Sequence, residues 1–286
     1  MRDVVALADP RLEGRATGSP GGVRARGWIV ERFREIGITP AGTDGYRQPF
    51  VVTSPSRLRA VPEAGSVRTP LEAANVVGKV SGRDLAARSI VVTAHYDHLG
   101  VHDGIVYPGA DDNASGVAVL LAAAQHFRRI PPRHTMVFAA LDAEEVGLHG
   151  AKALVASPVV PRGRVELNVN LDMVSRSSAN EIYAAGTYHT PWLTATLIDV
   201  QRRATVRIRF GHDRPEASSG GLEDWTLESD HGVFHAAGIP FIYFGVEDHP
   251  DYHKPTDTAD RIDLRFFGDV ADMIVEAIRT FDEKLR

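Results

Sequence analysis

Cysteine is absent from the 286 residues. Disulfides and thiolate metal sites are therefore excluded, and any metal must sit on His, Asp or Glu. Long apolar runs are absent too. The longest, Gly116 to Ala124, is far too short to span a bilayer. The opening residues, MRDVVALADP, carry no apolar core of signal-peptide length. Basic residues are not in excess: 32 Lys and Arg stand against 37 Asp and Glu, interspersed, for a net charge of −5. The basic face of a nucleic-acid binder is missing. No internal repeat or low-complexity run divides the chain. With 43% hydrophobic and 24% charged residues, the composition is that of an ordinary globular protein.

What is present is a repeated alternation. Residues Gly21 to Ile36 have helical spacing, with Val23, Trp28, Ile29, Phe33 and Ile36 near one face and Gly37 as a stop. Thr39 to Glu72 is rich in Pro, Gly, Ser and Thr and reads as short strands and loops. Strands follow at 75–82, 89–94, 135–141, 165–171 and 239–244. Helices are expected at 114–128, 146–155, 191–203 and 264–284. The strands are continuous apolar runs, as strands buried on both faces should be. The expectation is an α/β fold: a mixed, mostly parallel sheet with helices on both faces.

In such sheets ligands bind beyond the carboxyl ends of the strands. The stretch SIVVTAHYDHLG runs from a strand into His95 and Asp97. Asp142, Glu144 and Glu145 follow the next strand, and Asp172 the one after. Glu247, Asp248, His249, Asp251 and His253 follow the last. The loop GADDNASG brings Asp111 and Asp112 before a helix. So many carboxylates on one rim repel one another and call for a cation. Imidazole plus carboxylate without thiolate suits zinc, with cobalt or manganese as substitutes. The carboxylates exceed what one ion needs, so two Zn²⁺ are expected.

The motifs AHYDHLG, PGADDNASG, LDAEEVGLHGA, NLDMVS, SDHGVFHAAGIP and DYHKPTDT, in that order, resemble those of the co-catalytic dizinc aminopeptidases, metallopeptidase family 28. RLEGRATGSPGG resembles that family's N-terminal segment. The resemblance implies the zinc-exopeptidase α/β/α sandwich, and a single catalytic domain over 1–286. Residues 1–40 would form a helix and segment packed on it, and 39–75 is too short for a protease-associated insert. It implies His95 and Asp172 on one zinc, Glu145 and His253 on the other, and Asp111 bridging. Asp97 would orient His95 through its carboxylate. Glu144 would be the general base toward a water shared by the ions, and Tyr252 would assist at the oxyanion. A cis peptide is expected at Asp111–Asp112. The substrates implied are peptides with a free N-terminus, with an apolar-to-neutral first residue preferred and the loop 211–229 lining the pocket. Relatives are mostly exported, so a secreted or periplasmic protein with its signal removed is expected, with the cytoplasm as the alternative.

Other readings stay open. A carboxypeptidase or dipeptidase of this fold would need a basic cluster, for which Arg176, Arg207, Arg209 and Arg214 are the candidates. A glutaminyl cyclase-like acyltransferase and a non-catalytic receptor-like domain are further alternatives. His102, His126, His134, His149, His189 and His212 read as core or surface histidines. His98, and His231 with His235 on a helix, also read as structural, and Asp230 as a helix cap. Glu247, Asp248 and Asp251 read as a polar rim. GRATGSPG reads as a turn before the first long helix.

Overall fold

A computed structural model describes residues 1–56 and 70–286. The middle of the Pro/Gly/Ser-rich stretch expected at 39–72 therefore lies outside the described residues. In chain order the elements are α1 (Arg2–Leu7), α2 (Pro20–Ile36), β1 (Thr39–Pro40), β2 (Arg47–Val52), β3 (Leu71–Val80), β4 (Leu85–His95), β5 (Gly100–His102) and β6 (Ile105–Tyr107). Then come α3 (Gly116–Arg129), β7 (His134–Leu141), α4 (His149–Ala156), β8 (Val165–Leu171), β9 (Glu181–Ala185), α5 (Trp192–Gln201) and β10 (Arg207–Phe210). The chain closes with α6 (Glu216–Ser219), α7 (His231–Ala236), β11 (Phe241–Gly245) and α8 (Leu264–Lys284).

One sheet runs β1-β3-β7-β4-β8-β11-β9-β10, with β2 also on β3. Its centre, β7-β4-β8-β11, is parallel. The flanks are antiparallel at β3·β7 and β11·β9, and β10 returns parallel to β9. The expected mixed sheet is thus parallel where it is most buried. Side chains alternate across it, as the pleat requires. Ile90, Val92, Phe138 and Val169 face one core, shared with Val4, Leu7, Ile29 and Phe33 of α1 and α2 and with the apolar stripe of α8. Val91, Val137, Ala139 and Leu141 face a second core with Leu154 of α4 and Phe234 of α7. Thr93 breaks the apolar run of β4 in the interior, and it is satisfied there: its hydroxyl donates to Asn170 Oδ1 at 2.6 Å and accepts from Asn168 at 3.0 Å.

Helix ends follow local chemistry. Ser19 caps α2 by accepting from Gly22 N–H. Gly37 ends it at φ 80°, in the left-handed region that glycine enters freely. Asp263 caps α8 through Arg265 and Phe266 N–H. Asp230 precedes α7 but makes no capping bond, contrary to the cap expected from sequence. Its own backbone is already helical (φ −51°, ψ −33°), whereas capping needs an extended residue. Among the described residues no helix is long and apolar enough to cross a membrane.

Candidate metal centre

The parallel pairing aligns the strand ends. His95 pairs with Leu141 and Phe244 with Leu171. The residues that follow therefore emerge at one edge. A wide turn, Ala110–Ser115, leads into α3 beside them and carries Asp112. The result is two adjoining groups of donors, buried except for the partly buried Glu145. In one, ligand atoms of His95, Glu144 and Asp172 lie within 4.8 Å of one another. In the other, those of His98, Asp112 and Glu145 do. Asp112 faces both: Oδ1 is 3.3 Å from His95 Nε2, and Oδ2 is 3.1 Å from His253 Nε2 and 3.6 Å from His98 Nδ1. Asp172 Oδ1 lies 3.2 Å from His95 Nε2, and its Oδ2 accepts from the Ser229 hydroxyl at 2.8 Å. Glu145 lies 2.9 Å from His98 Nδ1 and 3.6 Å from His253 Nε2.

Three expectations change. Asp111 is not in the cluster. Its carboxylate accepts from Ser115 and from the Ser175 hydroxyl and N–H, and its Oδ2 faces His249 Nε2 at 3.1 Å. Both aspartates donate their backbone N–H to Asp257, and from this common anchor it is Asp112 that reaches the donors. The cis peptide is Asp112–Asn113, not Asp111–Asp112. Asp97 meets His95 through its main-chain carbonyl, 3.1 Å from Nδ1, while its carboxylate is 3.8 Å away. That carboxylate instead accepts Glu144 N–H at 3.1 Å and Glu145 N–H at 3.2 Å, so it holds the glutamate loop.

Sequence reasoning missed His98, which it took as structural. Its signal was the His-x-Asp-His spacing, but the residue lies in an irregular loop beyond β4, where no periodicity says which way a ring points. His253 lies beside the second group, facing Asp112 and Glu145, and the Tyr252 ring stacks on it at 3.9 Å. A pocket opens above, walled by Met173, Trp225, Tyr243 and Val246, with Glu228, Asp248 and Tyr252 at its border. Trp225 comes from the loop expected to line it. The His212 ring stacks on Trp225 at 3.5 Å. The other candidates lie elsewhere. His231 is buried against Phe241 and faces the Trp225 carbonyl, and His134 bonds Asp282 at the far end of β7.

The electrostatics match the crowding. Burial pushes Glu144 well above the usual carboxylate range, and Glu145, Asp172 and Asp230 push further against the pull of His95. For His95 burial opposes the charged ring, but Asp172 and Glu144 outweigh it, and the ring rises well above its ordinary value. For Asp112 burial opposes ionisation, yet His98, His253 and His95 hold it well below. Burial pushes Asp230 up to about 7. The imidazoles of His95, His98 and His253 are the side chains that face Asp112, Asp172 and Glu145, and His95 also acts on Glu144. Among the described residues no Lys or Arg pairs with these four. A divalent ion fits the donor set: imidazole and carboxylate, buried or nearly so, with His95 Nδ1 engaged and Nε2 left to ligate.

Residues 75–278 match Peptidase family M28. The chain belongs to that family. It is 31% identical over 217 residues to the aminopeptidase YwaD of Bacillus subtilis, covering 71% of this chain and 44% of that protein. It is 34% identical over 160 residues to a probable zinc metalloprotease of Leptosphaeria maculans, covering 54% and 35%. The chain thus spans less than half the length of these curated relatives. In fold it resembles the zinc aminopeptidase BSAP of Bacillus subtilis (TM-score 0.74, 17% identity, 97% of this chain and 93% of that one). It resembles a glutaminyl cyclase of Bacteroides thetaiotaomicron as closely (0.73, 18%, 97% and 95%), so the fold by itself does not select the reaction.

Proposed function

We propose that this M28 domain is a zinc aminopeptidase with two ions. The observation that carries the reading is the pair of buried donor groups joined by Asp112 beneath a pocket. His95 and Asp172 would hold one ion, and Glu145 and His253, with His98 beside them, the other. Asp112, and not Asp111, would be the carboxylate shared by both sites. When bound, zinc supplies Lewis acidity toward a carbonyl and lowers the pKa of water. Glu144 takes a proton from the attacking water at a carboxylate oxygen and delivers it to the leaving amine. Its buried, crowded environment raises its basicity for that task. Asp97 keeps Glu144 and Glu145 in register by gripping both amides. Met173, Trp225, Tyr243 and Val246 would receive an apolar first side chain, and Tyr252, which lines the same pocket, would assist at the oxyanion.

The carboxypeptidase alternative is weakened by the fate of its arginines. Arg207 and Arg209 pair with Glu181, Arg214 with Asp213 and Arg176 with Asp251. Each of the four thus already faces a carboxylate of the chain itself. The test is one short peptide with a free and an acetylated N-terminus, with and without chelator, its products read by mass. Loss of N-terminal residues from the free form only, stopped by chelator and restored by zinc, is the expected result. C-terminal trimming, or equal cleavage of the acetylated peptide, overturns the reading.

A further inference from the structure

The segment Gly14–Ser19 does more than turn into α2. Arg15 is fully buried. Its guanidinium has five N–H groups, and five carbonyls surround it. Nε donates to Tyr96 O at 2.8 Å, and Nη1 to Leu7 O and Pro108 O. Nη2 donates to Gly109 O at 2.9 Å and reaches Asp112 O at 3.5 Å. One side chain thus spans the loop after His95 and the turn that carries Asp112. Gly14 permits the approach, because a Cβ there would stand 2.4 Å from Gly100 O and Tyr107 O. Two residues after Arg15, the Thr17 hydroxyl lies 3.2 Å from Asp97 Oδ2 and 3.0 Å from Asp142 Oδ1. Asp97 is the carboxylate that grips the Glu144 and Glu145 amides. Asp142 is itself fixed by the Tyr96 hydroxyl and Ala74 N–H.

We propose that Arg15 and Thr17 are positioning residues for the metal cluster. Arg15 sets the spacing between His95 and Asp112, and Thr17, through Asp97, that of Glu144 and Glu145. Outer contacts of this kind orient ligands and are worth about 10- to 100-fold in metal affinity. Lysine cannot replace Arg15, since three donors on a point charge do not serve five carbonyls. The inference rests on the zinc reading above, but its readout does not need peptide cleavage.

Zinc affinity of the full chain, measured by competition with a chelating indicator, tests it in Thr17→Ser, Thr17→Val and Arg15→Lys. Thr17→Val is expected to bind zinc about 10-fold or more weakly, with the metal-free chain still folded but less stable, since a buried hydroxyl partner is lost. Thr17→Ser, which keeps the hydroxyl, should restore affinity. Arg15→Lys should weaken zinc further; if it does not fold, the Thr17 pair carries the test. Unchanged affinity in Thr17→Val, or equal loss in Thr17→Ser, overturns the proposal. A parent chain that binds zinc but cleaves no peptide sinks the aminopeptidase reading alone. One that binds no zinc sinks both.

Discussion

Strand β7 has a buried histidine–carboxylate arrangement at each end, and the two are built on opposite terms. At its start, the Asp282 carboxylate is fully met by the chain, although His134 Nε2 is left without a hydrogen-bond partner. Asp282 accepts the His134 ring at 2.9 Å, His134 N–H at 2.8 Å and Arg133 N–H at 2.7 Å. One carboxylate meets three donors from the chain itself and ties α8 to the sheet. Past its end, four carboxylates and three imidazoles crowd together, and among the described residues no Lys or Arg forms an ion pair with those carboxylates. The protein supplies its own counterparts at one end and leaves a deficit of positive charge at the other. A buried polar group costs stability unless matched, so the unmatched end marks where an outside cation belongs.

The sharpest test of that contrast is Glu144→Gln. If Glu144 is the base and not a ligand, peptide turnover should fall on the order of 10²–10⁴-fold while bound zinc, measured by elemental analysis, stays unchanged. Zinc lost along with activity would make Glu144 a ligand. Next in size, Asp112→Asn should weaken zinc binding by more than about 100-fold, since a ligand outweighs the outer contacts that cost about 10–100-fold. Asp111→Asn should stay within the outer range. The reverse ranking would return the bridging role to Asp111. At the other end of β7, Asp282→Ala should cost about 1–3 kcal/mol in urea unfolding by orphaning buried donors, with zinc affinity untouched. A loss of zinc there would erase the division between the two ends.

The smallest effect concerns pH. Burial holds His231 neutral, its pKa down to about 3, against roughly 6.5 for the unfolded chain. The folded value is the depressed one, so the unfolded state takes up the proton first. Its contribution is fully present above pH ~6.5 and is lost as pH falls toward about 3. In His231→Gln that slope should shrink relative to the parent in metal-free unfolding curves. A parallel curve would mean the ring titrates freely.

Much of the frame was legible because burial leaves a simple signature. β4, β7, β8 and α8 were found at or near their bounds, since strands covered on both faces read as unbroken apolar runs and a long amphipathic helix repeats its stripe. β9 and β10 were missed. EIYAA and RIRF are short, mixed segments toward the sheet's edge, where pairing with a neighbour rather than pattern makes the strand. The donor types were legible from residue chemistry and position after each strand. Which of two adjacent aspartates turns inward was not, because neighbours on a tight turn differ only in direction. Nor was His98, whose ring is aimed by an irregular loop.

By itself the sequence determined the class of fold, the edge of the sheet where the His, Asp and Glu donors gather and the exclusion of thiolate ligands. These follow from periodicity and composition, which are local properties. Tertiary structure alone decided that Asp112 joins the two donor groups while Asp111 is taken up by Ser115, Ser175 and His249. It also decided that Asp97 serves the glutamate loop with its carboxylate and His95 with its carbonyl, and that Arg15 reaches across from the N-terminal segment. Hydrogen bonds act over about 3 Å, and only the folded chain brings such distant residues within that reach.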